Sequence, residues 1–365
     1  MTIASTERNY SLSQYEGWRA RFEAPRRVMP DPLPNAEMAS LSRRELLIYN
    51  ERRSVWHANL GPYLTPEMLK VIDQLDLIVQ SNKQDGDRVR SAAVLDAYPG
   101  LGKTTLAVHY AGQFHRDQLE MYGPTTDTGD DRIPVAYVRL TSNTTMRSLN
   151  SMLCRFYAHS AADRGNATVL GSRAAQRALD SMTRLIVVDD VHFLDMNRRD
   201  GREVANHFKW LANEFAATFL FVGVGIAERG LLSEGLSPLR VQYAQTARRW
   251  TRTSLSPFAI EDSNGRRTWR RLLLAIERDL VLANKTPGMV SDDLADYLYA
   301  RSTGHFASLM TLLARGCQRA VKSGLEALTV DLLDTVPNDE AAEQARRQLE
   351  ASLRSGRLSA RGAKG

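Results

Sequence analysis

Residues 96–105 read DAYPGLGKTT, with RSAAVL immediately before them and LAVHYAGQF immediately after. A short apolar run enters the stretch and a helix-period pattern leaves it, the strand–loop–helix setting of a phosphate-binding loop. The full pattern asks for Gly, four residues, then Gly-Lys-Ser/Thr. Ala97 stands in its first position, a departure of one methyl group. Gly100 and Gly102 permit tight turns that bring backbone close to phosphates. The amides from Gly100 to Thr104 can point at phosphate oxygens at the start of a helix. Lys103 would reach the β and γ phosphates and Thr104 would offer its hydroxyl to magnesium. Thr105 would add an α-phosphate contact. ATP and Mg2+ are therefore the expected ligands.

Downstream, RLIVVDDVHFLD (184–195) ends an apolar strand on two carboxylates. Asp189 could hold magnesium through water, and Asp190 could orient or deprotonate an attacking water. Neighbouring residues of a regular strand face opposite ways, so both serve one site only if the strand ends there. His192 reads as a local structural histidine. Seven histidines scattered along the chain give no zinc signature. A further apolar strand, TFLFVGVGIAERGLL (218–232), runs into Gly223 and Gly225, which suit a close backbone approach. Glu228 and Arg229 follow and could serve an interface. The segment YAQTARRWTRTSLSPF (243–258) carries Arg248, Arg249 and Arg252. Arg248 and Arg249 could enter a neighbour's nucleotide site and stabilise transferring phosphate charge, which implies a ring or filament. The other reading of this segment is a solvated basic helix end or a DNA-facing patch.

The pattern around these motifs alternates. Strands are expected in SAAVLDA, IPVAYVRL, RLIVVDDV and TFLFVGVG. Helices are expected in TTLAVHYAGQFHRDQLEMY, TMRSLNSMLCRFYAHS, AAQRALDSM and GREVANHFKWLANEF. Short apolar runs between longer helical ones predict an α/β core, a parallel sheet covered by helices. Thr65 as cap and Pro66 at the first helical position open a helix before the core. Beyond about residue 262 every segment is helix-like, which predicts a small C-terminal helical lid. The division expected is an arm or partner-docking segment at 1–40, a core with its helical lead-in at 41–260, the lid at 261–335 and a basic tail at 336–365. Residues 1–40, with Tyr10, Tyr15, Trp18 and Phe22 and the patch PRRVMPDPLP, read as lying outside the core.

Composition bounds the rest. The chain has 365 residues, 43% of them hydrophobic and 25% charged, enough for a large core. No apolar run is long enough to cross a bilayer, and MTIASTERNY has no basic-then-apolar leader, so no membrane partner and no signal peptide are expected. Cys154 and Cys317, far apart, suggest neither a disulfide framework nor a metal pair, and point to a reducing, cytoplasmic setting. The net charge of +6 permits a nucleic-acid partner. The excess is clearest after residue 340, where Arg346, Arg347, Arg354, Arg357, Arg361 and Lys364 face Glu343 and Glu350.

The combination resembles the AAA+ ATPases, and more narrowly the TniB, TnsC and IstB-like ATPases of transposons, with TniB nearest. The resemblance covers roughly residues 45 to 330. It rests on HANLGPYLTPEM, YPGLGKTT, VVDDVHFLD, FVGVGIAERGLL, QTARRW and STGHFASLMTLLARGCQRAVKSG. It implies that Lys103 and Thr104 belong to the first phosphate motif and Asp189 and Asp190 to the second. Gly223 then lies at the sensor-one position, Arg248 and Arg249 are arginine-finger candidates, and the helix after Gly304 is the lid element. Asp190 stands where a Glu is usual, which implies slow, regulatory turnover. No sensor-two arginine follows Gly304, and Arg301 or Arg315 would have to compensate. By this resemblance the chain is an ATP-dependent regulator of transposition. It would assemble as a ring or filament on double-stranded DNA and recruit a DDE-type transposase, with a TniQ-like adaptor as a further partner. Lys83 and Arg147 are candidate DNA contacts. An AAA+ signalling or defence switch, or a scaffold with little turnover, is the competing reading.

Overall fold

The computed structural model describes residues 10–85, 90–194, 199–214, 216–226, 250–346 and 359–360. The chain opens with three helices, α1 (Tyr15–Glu23), α2 (Asn35–Ser40) and α3 (Arg43–Ala58), followed by α4 (Pro66–Ser81). Ser42 and Glu45 close a reciprocal capping box on α3, and Thr65 caps α4 ahead of Pro66. The sheet and its helices follow as β1 (Ala92–Asp96), α5 (Lys103–Tyr122), β2 (Val135–Arg139), α6 (Met146–Phe156), α7 (Ala167–Asp180), β3 (Leu185–Asp189), α8 (Arg199–Glu214), β4 (Thr218–Gly223) and β5 (Trp250–Thr253). All neighbouring strands are parallel, in the order β2-β3-β4-β1-β5. AAVLD, LIVVD and TFLFVG are buried along their whole length, as strands covered by helices on both faces must be.

The lid comprises α9 (Ser263–Asp279), a π-helical turn at Met289–Asp293, α10 (Ala295–Ser302), α11 (Phe306–Ser323) and α12 (Val330–Asp334). It has its own apolar cluster, centred on Trp269, Leu273, Leu298 and Leu313, separate from the sheet cluster. Arg53 of α3 reaches into it and grips Glu326 with both guanidinium nitrogens, at 2.6 and 3.0 Å. That bidentate pair is buried on both sides, so it joins the lead-in helix to the lid.

Two expectations need correction. The leading segment does not lie outside the core. Trp18 is fully buried in the sheet cluster, beside Phe22, His115 and Tyr137. Tyr15, Trp18 and Phe22 recur at helical spacing, so α1 turns one aromatic face onto α5 and β2. Phe22 lies over Gly112 of α5, where a Cβ would come within 1.9 Å of the ring. Second, the stretch 250–253 is a strand, β5, pairing with β1 from Ala92↔Trp250 to Leu95↔Thr253. A smaller difference is α7, which starts at Ala167, capped by Asn166, where the sequence suggests a break before a shorter helix.

Candidate nucleotide site

Register brings the carboxyl ends of four strands together. Asp96 pairs with Gly223, and Arg139 with Asp189. In open parallel sheets this edge, where the strand order reverses, is where ligands bind. Between β1 and α5 the phosphate loop turns through two left-handed glycines, Gly100 at φ +77° and Gly102 at φ +85°. Gly102 is the N-cap of α5, with no side chain capping the helix and no acid in its first turn. Its leading amides are therefore left to an anion, as a phosphate site requires. Ala97 is buried, does not have a positive φ, and its amide donates to the Gly223 carbonyl at 3.3 Å. The first loop position thus extends the β1–β4 ladder in ordinary backbone, and the methyl group there costs no strain. Thr104 is half-buried and Thr105 exposed.

Lys103 Nζ donates to the carbonyl oxygen of Tyr98, 2.8 Å away in its own loop. Burial pulls its pKa below the usual lysine value, while Asp189, Asp96 and Asp190 act in the opposite direction. The three carboxylates approach from β1 and β3. Asp96 is buried; it accepts from the amide of Ile226 at 3.1 Å and pairs with Arg252 at 3.2 Å. Asp189, 1% exposed, accepts from Tyr137 Oη at 2.8 Å and from the amide of Asp190, also at 2.8 Å. The strand ends at Asp189, and Asp190 takes a left-handed conformation, φ 58°, before the short 3-10 turn Val191–Phe193. That turn lets both carboxylates face one group, the guanidinium of Arg139. Its Nη2 lies 3.5 Å from Asp189 Oδ2 and its Nε 3.2 Å from Asp190 Oδ2. His192 Nδ1 is 3.9 Å from Asp190 Oδ1. A Cβ at Gly223 would lie 3.1 Å from the His192 amide, so the small residue lets β4 pass close to this turn.

The lid closes on the same loop. Ala307, near the start of α11, donates its amide to the Gly100 carbonyl at 2.9 Å. Beside it a cavity of about 260 Å³ is lined from the core by Thr65, Met68 and Leu101 and from the lid by Asn264, Thr268 and Phe306. Mixed apolar and polar walls that include Leu101 of the phosphate loop suit the base of a nucleotide.

Other candidates fall elsewhere. Arg301 is buried inside the lid on the carbonyls of Leu333 and Val336 and the carboxylate of Glu343, so it does not substitute for a phosphate sensor. Arg315 donates to the Pro337 carbonyl. Arg147 ties the loop before α7, donating to the carbonyls of Asp163 and Gly165 at 2.8 and 3.0 Å, and Lys83 is exposed. Arg248, Arg249, Glu228 and Arg229 lie outside the described residues. Arg139, Tyr137 and Asp96 are the residues sequence reading passes over. Their signal is positional: each sits in or at the end of an apolar strand that abuts one of the phosphate motifs.

Residues 87–231 match the AAA domain family. The chain therefore carries an AAA+ P-loop core, matched over rather less than half of its length. This domain architecture is consistent with nucleotide binding and hydrolysis, and the fold implies a capacity for ATP and Mg2+. Among solved structures the AAA+ fold is shared with the Aeropyrum pernix ORC1 protein in complex with DNA. The TM-score is 0.54 at 15% identity, over 81% of this chain and 69% of that one. Cdc6p from Pyrobaculum aerophilum gives 0.51 at 16% identity, over 74% and 66%. Drosophila ORC bound to DNA gives 0.50 at 13%, over 93% and 74%. No curated protein matches the sequence. Among the described residues no helix is long and apolar enough to cross a membrane.

Proposed function

We propose that this AAA+ chain is an ATP-dependent DNA-binding regulator of transposition. In this reading it assembles as a ring or filament on target duplex and recruits or activates a DDE-type transposase in the cytoplasm, with a TniQ-like adaptor as a further partner. The observation that carries the ATPase part is the convergence of Lys103, Asp189 and Asp190 below a lid hydrogen-bonded to the phosphate loop. The transposition part rests on the motif resemblance, and the fold shared with two DNA-bound proteins is compatible with it.

The division of labour follows from the geometry. The amides of the loop and of α5 bind phosphate oxygens, and Lys103 leaves the Tyr98 carbonyl for the β and γ phosphates. Thr104 and Asp189 are the groups that would hold Mg2+, directly and through water. When bound, the ion supplies neutralising charge between the outer phosphates. Asp190 orients the attacking water and takes its proton. Arg248 and Arg249 complete the site of a neighbouring copy, with 41–260 as the core that carries it, 261–335 as the lid, and 336–365 as a partner contact. Asp190 is one methylene shorter than Glu and is held by Arg139, which favours a slow timer of assembly over a motor.

Phosphate release measured with and without duplex DNA tests this. The wild type is expected to turn over slowly and to be stimulated several-fold by duplex. Asp190→Asn is expected to lose roughly 10²-fold in turnover while retaining ATP. Turnover indifferent to DNA, or unchanged in Asp190→Asn, would refute the reading.

A further inference from the structure

Helix α9 reads SNGRRTWRRLLLAIERD, and its buried side carries Trp269, Leu272, Leu273, Ile276 and Glu277. Opposite that side stand Arg267, Arg271 and Arg278, all exposed. At 3.6 residues per turn they fall within about 40° of arc, along roughly 16 Å of helix. Among the described residues no carboxylate or carbonyl engages these three guanidinia. The other two arginines of α9 are committed: Arg266 to the carbonyls of Ile260 and Glu261, and Arg270 to both oxygens of Asp292. So are its acids. Glu277 turns inward to accept from the amides of Gly288, Val290 and Ser291, and Asp279 accepts from Tyr63 Oη. The helix has thus retired its negative charge into the lid and kept a single-sign stripe outside.

We propose that this outer face of α9 contacts the phosphate backbone of duplex nucleic acid, in an orientation governed by the nucleotide site. The inference rests on the DNA-binding reading above and assigns it a surface. Guanidinia suit phosphate because each offers a planar fork of donors and is weakly hydrated, and a straight row of them fixes position without reading bases. Coupling follows from the first two turns of the same helix. Asn264, Gly265 and Thr268 line the cavity beside the phosphate loop, so whatever fills that cavity touches α9 directly. The contrast is α3, whose exposed Arg43, Arg44 and Arg52 are spread around the helix among Glu45, Leu47 and Glu51. They form no one-sided stripe.

The test titrates the full chain against a fluorescently labelled duplex by anisotropy, across a salt series, with ATP and without. The combined Arg267→Gln, Arg271→Gln and Arg278→Gln variant is compared with a combined Arg43→Gln, Arg44→Gln and Arg52→Gln variant of equal formal charge. Each arginine–phosphate pairing removed should reduce the slope of log affinity against log salt by about 0.9, so the α9 variant is expected to fall by roughly 2 to 3 in slope. At least tenfold in affinity should go with it, while ATP binding is kept; the α3 variant should change the slope by less than about 1. Wild-type affinity and slope in the α9 variant, or equal losses in the two variants, would overturn the assignment of this face; acidic protein as its partner is then the remaining occupant. Absence of duplex binding by the wild type in any nucleotide state would instead refute the reading on which the inference rests.

Discussion

Lys103 folded onto the Tyr98 carbonyl shows a phosphate loop holding its cation in place through its own backbone. In the proposed function phosphate replaces that carbonyl, and charge-assisted bonds of this kind are worth about 1.5–3 kcal/mol. Lys103→Ala is therefore expected to weaken ATP binding on the order of 10- to 100-fold by calorimetry; unchanged affinity would remove Lys103 from the site. Arg139 poses the converse question. Its guanidinium lies against both Asp189 and Asp190, the place where the proposed function puts the cation. The side chain is half-exposed, so its competition with a cation is modest, about 1 kcal/mol or less. Arg139→Ala should lower the Mg2+ concentration for half-maximal turnover by a few-fold, and a higher requirement would show that it aids the metal. At this scale sequence reading located the loop and the acid pair, because glycine, lysine and carboxylate chemistry is local. It missed Arg139 because its role exists only through the register Arg139↔Asp189, a contact across 50 residues of chain.

Elements were legible where one face is apolar over several turns, as in α4, α5 and α11, or where a strand is apolar throughout. β5 was not: WTRT has two exposed residues, and only its pairing with β1 makes it a strand. α1 was misread from the same cause in reverse, since a short helix with a polar majority still buries Trp18. Trp18→Ala should cost about 3–5 kcal/mol in urea unfolding, whereas removing a free arm would cost almost nothing. Two buried histidines lie between helical layers, and burial lowers the pKa of each to about 4: His115 of α5 under α1, and His57 of α3, whose Nε2 accepts from the Val281 amide at 3.0 Å. An unfolded chain protonates near pH 6.5, so it takes up these protons first. Stability is then full above about pH 6.5 and is lost as pH falls toward 4. Unfolding midpoints at pH 7 and pH 5 should show that loss in the wild type and a smaller one in His115→Phe.

At the scale of the molecule the phosphate loop sits where three bodies meet: the sheet, the lead-in helix α4 through Met68, and the lid through Ala307 and Phe306. A nucleotide bound there touches all of them, so it can set the angle between core and lid. In the proposed function, lid angle would in turn decide which surfaces a neighbouring copy and a duplex meet. The α/β core and the helical lid were readable from periodicity; their common boundary was not, because it is built from single residues far apart in the chain. The measurement that bears most directly on the account is negative-stain electron microscopy of the purified chain on duplex DNA, at one stated salt concentration, with ATP, ADP or neither. Rings or filaments on DNA with ATP alone, lost in Lys103→Ala, are the predicted result. Assemblies that form equally without nucleotide or without DNA, or that survive Lys103→Ala, would contradict it.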